Sequence, residues 1–277
     1  MNQKEFEWLH QAQMEIMDEI HRICKLEGIT YYLIAGSAIG ALRHKGFIPW
    51  DIDIDCAMPR SEYERFKDAC MRDLNPRFRY YDLFSVKNYS KPHAIVSISG
   101  TKLYRSYDQY NPKEFQPGIY VDVFPLDSAP DTEEERAKHA EAITKIKRKI
   151  YIKRHYNYSP SPVKRLGKWI KSLRYFYVSS DRLFSELDNE MRRYEKDKTN
   201  YLCSMAGRHP YENESSPAAY FGTPVLAKFE NREYFIPHDA DKYLRKMYGD
   251  YMKLPPESEQ KANLNNFEKV VFDKKYE

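Results

Sequence analysis

Several classes of protein are excluded by what this chain lacks. Its 277 residues contain no run of 18 apolar side chains, whereas a membrane-spanning helix needs about 20. Residues 1–20 carry acids and have no apolar stretch of the kind a secretion signal requires. The four cysteines, Cys24, Cys56, Cys70 and Cys203, form no CxxC pair, which argues against a disulfide framework or a structural zinc site. Reduced, buried thiols in a cytoplasmic protein are the expectation. No internal repeat and no low-complexity tract breaks the sequence. No signature of nucleic-acid binding is present, so nucleic acid is not an expected partner. One local absence also matters. Residues 142–180 contain no Asp or Glu, while Lys and Arg recur throughout.

What is there suits a soluble domain with a sizeable core. Hydrophobic residues make up 42% and charged residues 31%, with a mean hydropathy of −0.80. Apolar positions from Phe6 to Leu26 recur at three- and four-residue spacing and predict a helix over 3–27, stopped by Gly28. Residues 30–35 read as a short strand that leads into Gly36-Ser37 and a helical turn over 38–42. Residues 43–50 read as a loop punctuated by Gly46 and Pro49. Ile52, Ile54 and Cys56 alternate with Asp51, Asp53 and Asp55, so the period predicts a strand with acids on one face. Pro59 ends that strand, and Ser61 with Glu64 resembles a capping box for a helix to about 71. Strands are predicted over 78–86, 93–105 and 118–124, the last closed by Pro125. Helices are predicted over 131–153, 163–177, 180–196 and near 239–248. The alternation gives an α/β (α+β) fold with a helical part after residue 130.

The acidic stretch carries the chemistry. Three carboxylates on one face repel one another unless a cation joins them. Oxygen ligands without His or Cys select Mg2+, with Mn2+ as the alternative. Asp51, Asp53, Asp55 and Glu62 also match calcium-loop positions, but Cys56 stands where that loop needs glycine. Gly36 and Ser37, at a strand-to-helix junction, offer N–H groups and a hydroxyl to a phosphate. Gly36 and Gly40 have the spacing of a membrane helix-dimer motif, in flanks too polar for one. Arg43, His44 and Lys45 follow directly and suit a diphosphate.

Together these residues, GSxxGxxRHKGFIPWDxDID from Gly36 to Asp55, then Met58-Pro59-Arg60 and Tyr63-Glu64, closely resemble the LicD family of the nucleotidyltransferase-fold superfamily. Bacterial phosphocholine transferases and the animal fukutin-related proteins belong to that family. The segment from Tyr120 through Asp122 to Asp127 resembles its second acidic strand. Phe229-Glu230, Phe235 to Pro237, Tyr243-Leu244, Tyr248 to Met252 and Pro255-Pro256 resemble its C-terminal signature. One departure is Ile52, where many members carry an acid.

The resemblance implies a nucleotidyltransferase-like mixed sheet flanked by helices, with a helical insertion and a C-terminal part. Residues 1–130 would form the core with the metal site, 131–215 a basic helical region, and 216–277 a segment packed on the core. It implies Asp53 and Asp55 as metal ligands, with Asp51 close behind and Asp122 as the carboxylate of a neighbouring strand. Spacing from Gly36-Ser37 leaves the register open between Asp51/Asp53 and Asp53/Asp55. The implied reaction moves a phospho-alcohol, phosphocholine by default, from a CDP-linked donor to a glycan hydroxyl, with release of CMP. Gly36, Ser37, Arg43, His44 and Lys45 would hold the donor phosphates. Asp53, Asp55 and Asp122 would be catalytic, Asp122 being the first choice for taking the acceptor's proton. Tyrosines, 24 in number, could cage a quaternary ammonium. The acceptor would be a cell-surface glycan, teichoic-acid or lipopolysaccharide precursor, lipid-linked forms included. Ribitol or glycerol phosphate fits the core motifs equally well. A true nucleotidyltransferase is the other enzymatic alternative, and a membrane-binding module without catalysis is the non-enzymatic one. The acid-free segment 145–174 mixes eleven Lys and Arg with Tyr151, Tyr156, Tyr158 and Trp169, a composition suited to peripheral contact with an anionic membrane at its inner face.

Overall fold

In the computed structural model, which describes residues 3–86, 89, 91–105, 117–154, 161–264 and 267–271, the predicted first helix forms as α1 (Gln3–Glu27). Gly28 ends it at φ +62°, the left-handed conformation that glycine adopts without a Cβ penalty. The chain then runs β1 (Tyr32–Leu33), α2 (Ala35–Ile39), a π-helical turn Gly40–His44, β2 (Asp55–Pro59), α3 (Arg60–Asp73), β3 (Phe78–Tyr81), β4 (Ala94–Ile98), β5 (Lys102–Arg105) and β6 (Tyr120–Ala129). The helices α4 (Glu133–Lys153), α5 (Pro162–Leu173) and α6 (Ser180–Met191) follow. The last part comprises β7 (Tyr201–Cys203), α7 (Tyr211–Glu214), β8 (Ser215–Pro217), α8 (Ala218–Phe221), β9 (Val225–Phe229), β10 (Arg232–Ile236), α9 (Ala240–Tyr248), α10 (Glu257–Leu264) and β11 (Phe267–Val271).

The main sheet has the order β1-β2-β6-β4-β3, with β7 and β8 continuing from β6. Among the described residues only β2 and β6 run parallel; β1 pairs antiparallel with β2, and β4 and β7 pair antiparallel with β6. The fold is thus the expected mixed sheet with helices against it. Leu9, Ile16, Ile20 and Ile23 of α1 pack with Phe66 of α3 and with Val121 and Val123 of β6, all essentially inaccessible to water. A second cluster joins β1 and α2 to Leu244 and Met247 of α9. A third lies among α4, α6 and β7, around Ile146, Leu187 and Met205.

Four local expectations are corrected. Pro125 does not close its strand, because β6 runs on to Ala129. Asp122 turns its N–H toward β2, where it donates to Ile54 O at 3.2 Å. By alternation the nitrogen of Pro125 faces the other edge, between the start of β4, opposite Val123, and the end of β7, opposite Asp127. Among the described residues no partner strand is there to miss the donor. Second, the strand of alternating acids begins only at Asp55. Ahead of it, α1 takes the backbone carbonyls that a partner strand would use: Gln13 Nε2 donates to Ile52 O at 2.7 Å and His10 Nε2 lies 2.9 Å from Asp51 O. The two-sided alternation survives, with Ile54 and Cys56 fully buried. Third, α3 starts at Arg60, one residue before Ser61, without a side-chain cap. Glu64 pairs with Arg60 at 3.6 Å rather than closing a box. Fourth, the predicted strand 93–105 is split at Ser99-Gly100 into β4 and β5, and Gly100 takes φ +82°.

Candidate active site

The parallel register of β2 and β6 sets Asp55 opposite Asp122. Neighbouring residues in register project to the same face, so two carboxylates from distant parts of the chain meet. Asp51 and Asp53 arrive on the extended segment that leads into β2. Below them, Ser37 Oγ accepts the Asp55 N–H at 2.9 Å. Gly36 comes so close to Asp51 that a Cβ there would lie 2.6 Å from Oδ2. The Gly-Ser pair sits in the first turn of α2, where N–H groups have no intrahelical acceptor. Ser37 uses an oxygen lone pair on Asp55, so its hydroxyl proton remains available to a phosphate.

Crowding sets the electrostatics. Burial, then the Asp53 carboxylate, push Asp51 well above the usual carboxylate range. Burial, then Asp53, Asp122 and Asp51, do the same to Asp55. Asp53 is raised by dehydration and by Asp122, although its side chain is exposed. Both hold for a group lying in an open concavity. Asp122 differs: burial would raise it, but Lys91 Nζ and His93 Nε2, each 2.7 Å from Oδ1, hold it below the ordinary range. Lys91 and His93 thus favour the charged form of Asp122.

These donors could hold a divalent cation. Among the described residues no three His, Cys, Asp or Glu side chains stand in ready ligating geometry. Asp122 is engaged by Lys91 and His93, and Asp51 shares a hydrogen bond with Asp53. The chemistry of the set fits a hard ion: oxygen donors only, with the proton affinities of Asp51, Asp53 and Asp55 raised by burial and by neighbouring carboxylates whose repulsion a cation would relieve.

The basic triplet is divided. Arg43 donates through Nη1 to the carbonyls of Tyr251 and, at 3.5 Å, Lys253, and through Nε to His44 at 2.9 Å. His44 meets Trp50 edge-on at 5.9 Å. Lys45 is exposed, in a left-handed conformation at φ +61°. The loop they begin is braced by the tip of the β9–β10 hairpin. Glu230 N donates to Lys45 O at 2.7 Å and Phe47 N donates to Glu230 Oε1 at 3.0 Å.

Three residues near the acids carried no sequence signal. Lys91 and His93 precede β4, and Nζ of Lys91 also lies 4.2 Å from the Tyr120 ring centre. Arg208, exposed in the loop after β7, lowers the proton affinity of Asp53 and of His93. Tyr248 at the end of α9, which the C-terminal signature did include, feels Asp55, Asp51 and Asp53. Only the pairing of β4 with β6, Ile95 opposite Asp122, brings Lys91 and His93 there. Two motif residues belong to scaffold instead. Arg60 grips Asp127 with Nε at 2.6 Å and Nη2 at 2.8 Å, both side chains buried.

A family profile described as LicD/FKTN/FKRP, nucleotidyltransferase domain, matches residues 28–172, more than half of the chain and all four acids. The lipopolysaccharide cholinephosphotransferase LicD of Haemophilus influenzae is 27% identical over 262 residues, covering 90% of this chain and 92% of that protein. With the Gly-Ser turn against Asp51 and Asp55, and Asp122 in register beside them, this chain belongs to the LicD family.

Proposed function

We propose that the protein transfers phosphocholine from a CDP-linked donor to a hydroxyl of a lipopolysaccharide-type cell-surface glycan precursor, with Mg2+ (Mn2+ as the alternative) as cofactor. The in-register pair Asp55 and Asp122, seated over Ser37, carries the reading. The relative named above supports the choice of alcohol and glycan. When held by Asp51, Asp53, Asp55 and Asp122, Mg2+ supplies charge neutralisation across the donor diphosphate. The Ser37 hydroxyl and the first-turn N–H groups of α2 orient a phosphate oxygen. Arg208 and Lys91 add positive charge around the diphosphate, and Arg43 with Lys45 border the approach. The acceptor oxygen forms its bond to the choline-bearing phosphorus as the bond to the CMP oxygen breaks, and CMP leaves with the electron pair. Asp53, the exposed acid, is the one an acceptor hydroxyl reaches, and it takes the proton. Positioning and fixed charge carry most of the rate. Trp50 and Tyr248, half-buried against one apolar cluster, offer ring faces for a quaternary ammonium.

The test is CMP release from CDP-choline, CDP-ribitol and CDP-glycerol, with Mg2+ and with chelator. CDP-choline should turn over fastest, and chelation should stop it. Preference for another donor reassigns the alcohol. Absence of CMP release, alongside pyrophosphate release from a nucleoside triphosphate, would establish nucleotide transfer instead.

A further inference from the structure

α5 is mounted with its apolar side outward. On a helix of about 3.6 residues per turn, Val163, Leu166, Trp169, Ile170 and Leu173 fall within roughly 120° of one another. A helix of a soluble domain turns such a stripe inward. Here all five are exposed, Val163 at 81%, while Ser172 on another side of the helix is buried. The turn that follows adds Phe176 and Tyr177, the latter 96% exposed. It is tethered to α4, where Lys153 Nζ donates to Phe176 O at 3.3 Å.

Along α5 and the turn after it the charge has one sign. Lys164, Lys171 and Arg174 are exposed, and among the described residues none pairs with a carboxylate. The lysines of α4 are committed elsewhere: Lys145 to Glu141, Lys149 to Glu186, and Lys147 to Gly207 O at 3.0 Å. Of the basic segment expected from sequence, the structure therefore leaves α5 and the turn after it, with Arg148 of α4 exposed besides. Tyr156 and Tyr158 lie outside the described residues, as does the side chain of Arg165. An exposed apolar stripe with a tryptophan, cationic flanks and no acid is complementary to the headgroup boundary of an anionic bilayer. A protein partner would have to match the same cations with acids of its own.

We propose that α5 with Phe176 and Tyr177 is a lipid-surface docking element, lying in the interface plane of an anionic membrane with Leu166, Trp169, Ile170 and Leu173 inserted. Among the described residues no helix is long and apolar enough to cross a membrane, so the contact is peripheral. The proposal does not depend on which reaction the acids perform, and its readout needs no turnover.

The experiment is vesicle flotation of the full chain, with phosphatidylcholine alone and mixed with phosphatidylglycerol. Binding to the mixed vesicles, weakening with salt, is expected. Leu166→Ser with Ile170→Ser keeps the charge and should lower partitioning roughly tenfold or more. Lys164→Gln with Lys171→Gln should remove the preference for anionic lipid. Trp169 emission should shift to the blue on binding, and Trp169→Phe should abolish that shift. Because the replaced side chains are exposed, melting temperatures should match the parent's. No binding to anionic vesicles at low salt overturns the proposal, as does unchanged binding by the Leu166/Ile170 variant. So does a lipid-independent dimer that the same variant dissolves, which would give the stripe to a second copy.

Discussion

The Phe47 N–H donates to Glu230 Oε1 at 3.0 Å, across 183 residues of sequence. The same carboxylate leaves no room beside Gly46, where a Cβ would lie 2.0 Å from Oε1. The loop between the π-helical turn and Asp51 thus takes its shape from a hairpin near the far end of the chain. Glu230→Ala should lower stability by about 1–3 kcal/mol, because the Phe47 N–H loses its charged acceptor. The KM for the donor should rise with it. A thermal melt with donor titration checks both, and Glu230→Gln should recover part of each.

Asp53→Asn and Asp55→Asn should each reduce transfer by at least about a hundredfold. In metal-free buffer neither should lower the melting temperature, and Asp55→Asn should raise it. Dehydration and three carboxylate neighbours already oppose the Asp55 charge, so a neutral isostere relieves a cost. A lower melting temperature for Asp55→Asn would place its carboxylate in a supporting hydrogen-bond network instead.

Arg208→Ala should reduce kcat/KM by roughly tenfold to a hundredfold through loss of a charge-assisted contact to the donor diphosphate. Arg208→Lys should retain part of the activity. Arg208 is exposed, so stability should not change. Unaltered kinetics in the alanine variant would leave it a solvated loop cation.

The Arg208 loop is held from below by Glu214, whose Oε1 accepts the His209 N–H at 3.3 Å. Burial pushes the Glu214 carboxyl up to about 7. A carboxyl raised on folding favours the native state while protonated, and that contribution is lost as pH rises toward the folded value. The parent should therefore lose stability relative to Glu214→Gln between roughly pH 4.3 and 7, by about 1–3 kcal/mol in total. Parallel urea titrations at roughly pH 4 and 8, which bracket that window, measure the difference. A constant gap between the two proteins at both values would show that Glu214 does not titrate there.

Local signals in the sequence were enough to place the acids beside the Gly-Ser turn. A helix stopped by glycine, a short strand into Gly36-Ser37 and alternating isoleucines and acids each depend on residues a few positions apart. Lys91 and His93 could not be found that way, because their place follows from β4 lying against β6. Pro125 defeats a local reading for a related reason. A proline breaks a strand only where a neighbour needs its N–H, and the gap between β4 and β7 is visible only in three dimensions. Arg60 and Asp127 share a motif with the site residues yet serve a buried ion pair. Motif membership alone does not separate chemistry from scaffold.

β6 carries two buried carboxylates five positions apart, Asp122 in the acid cleft and Asp127 in the grip of Arg60. An odd separation puts them on opposite faces of one sheet. The strand therefore works as a parity code. Deleting or inserting one residue between them would turn one carboxylate to the wrong side, leaving either the cleft without its fourth acid or Arg60 buried without its partner. Substitutions at Val123, Phe124 or Leu126 alter packing by degrees, whereas a change of length there is all-or-none. Sequence drift within this family should therefore leave the spacing from Asp122 to Asp127 fixed even where the residues between them change.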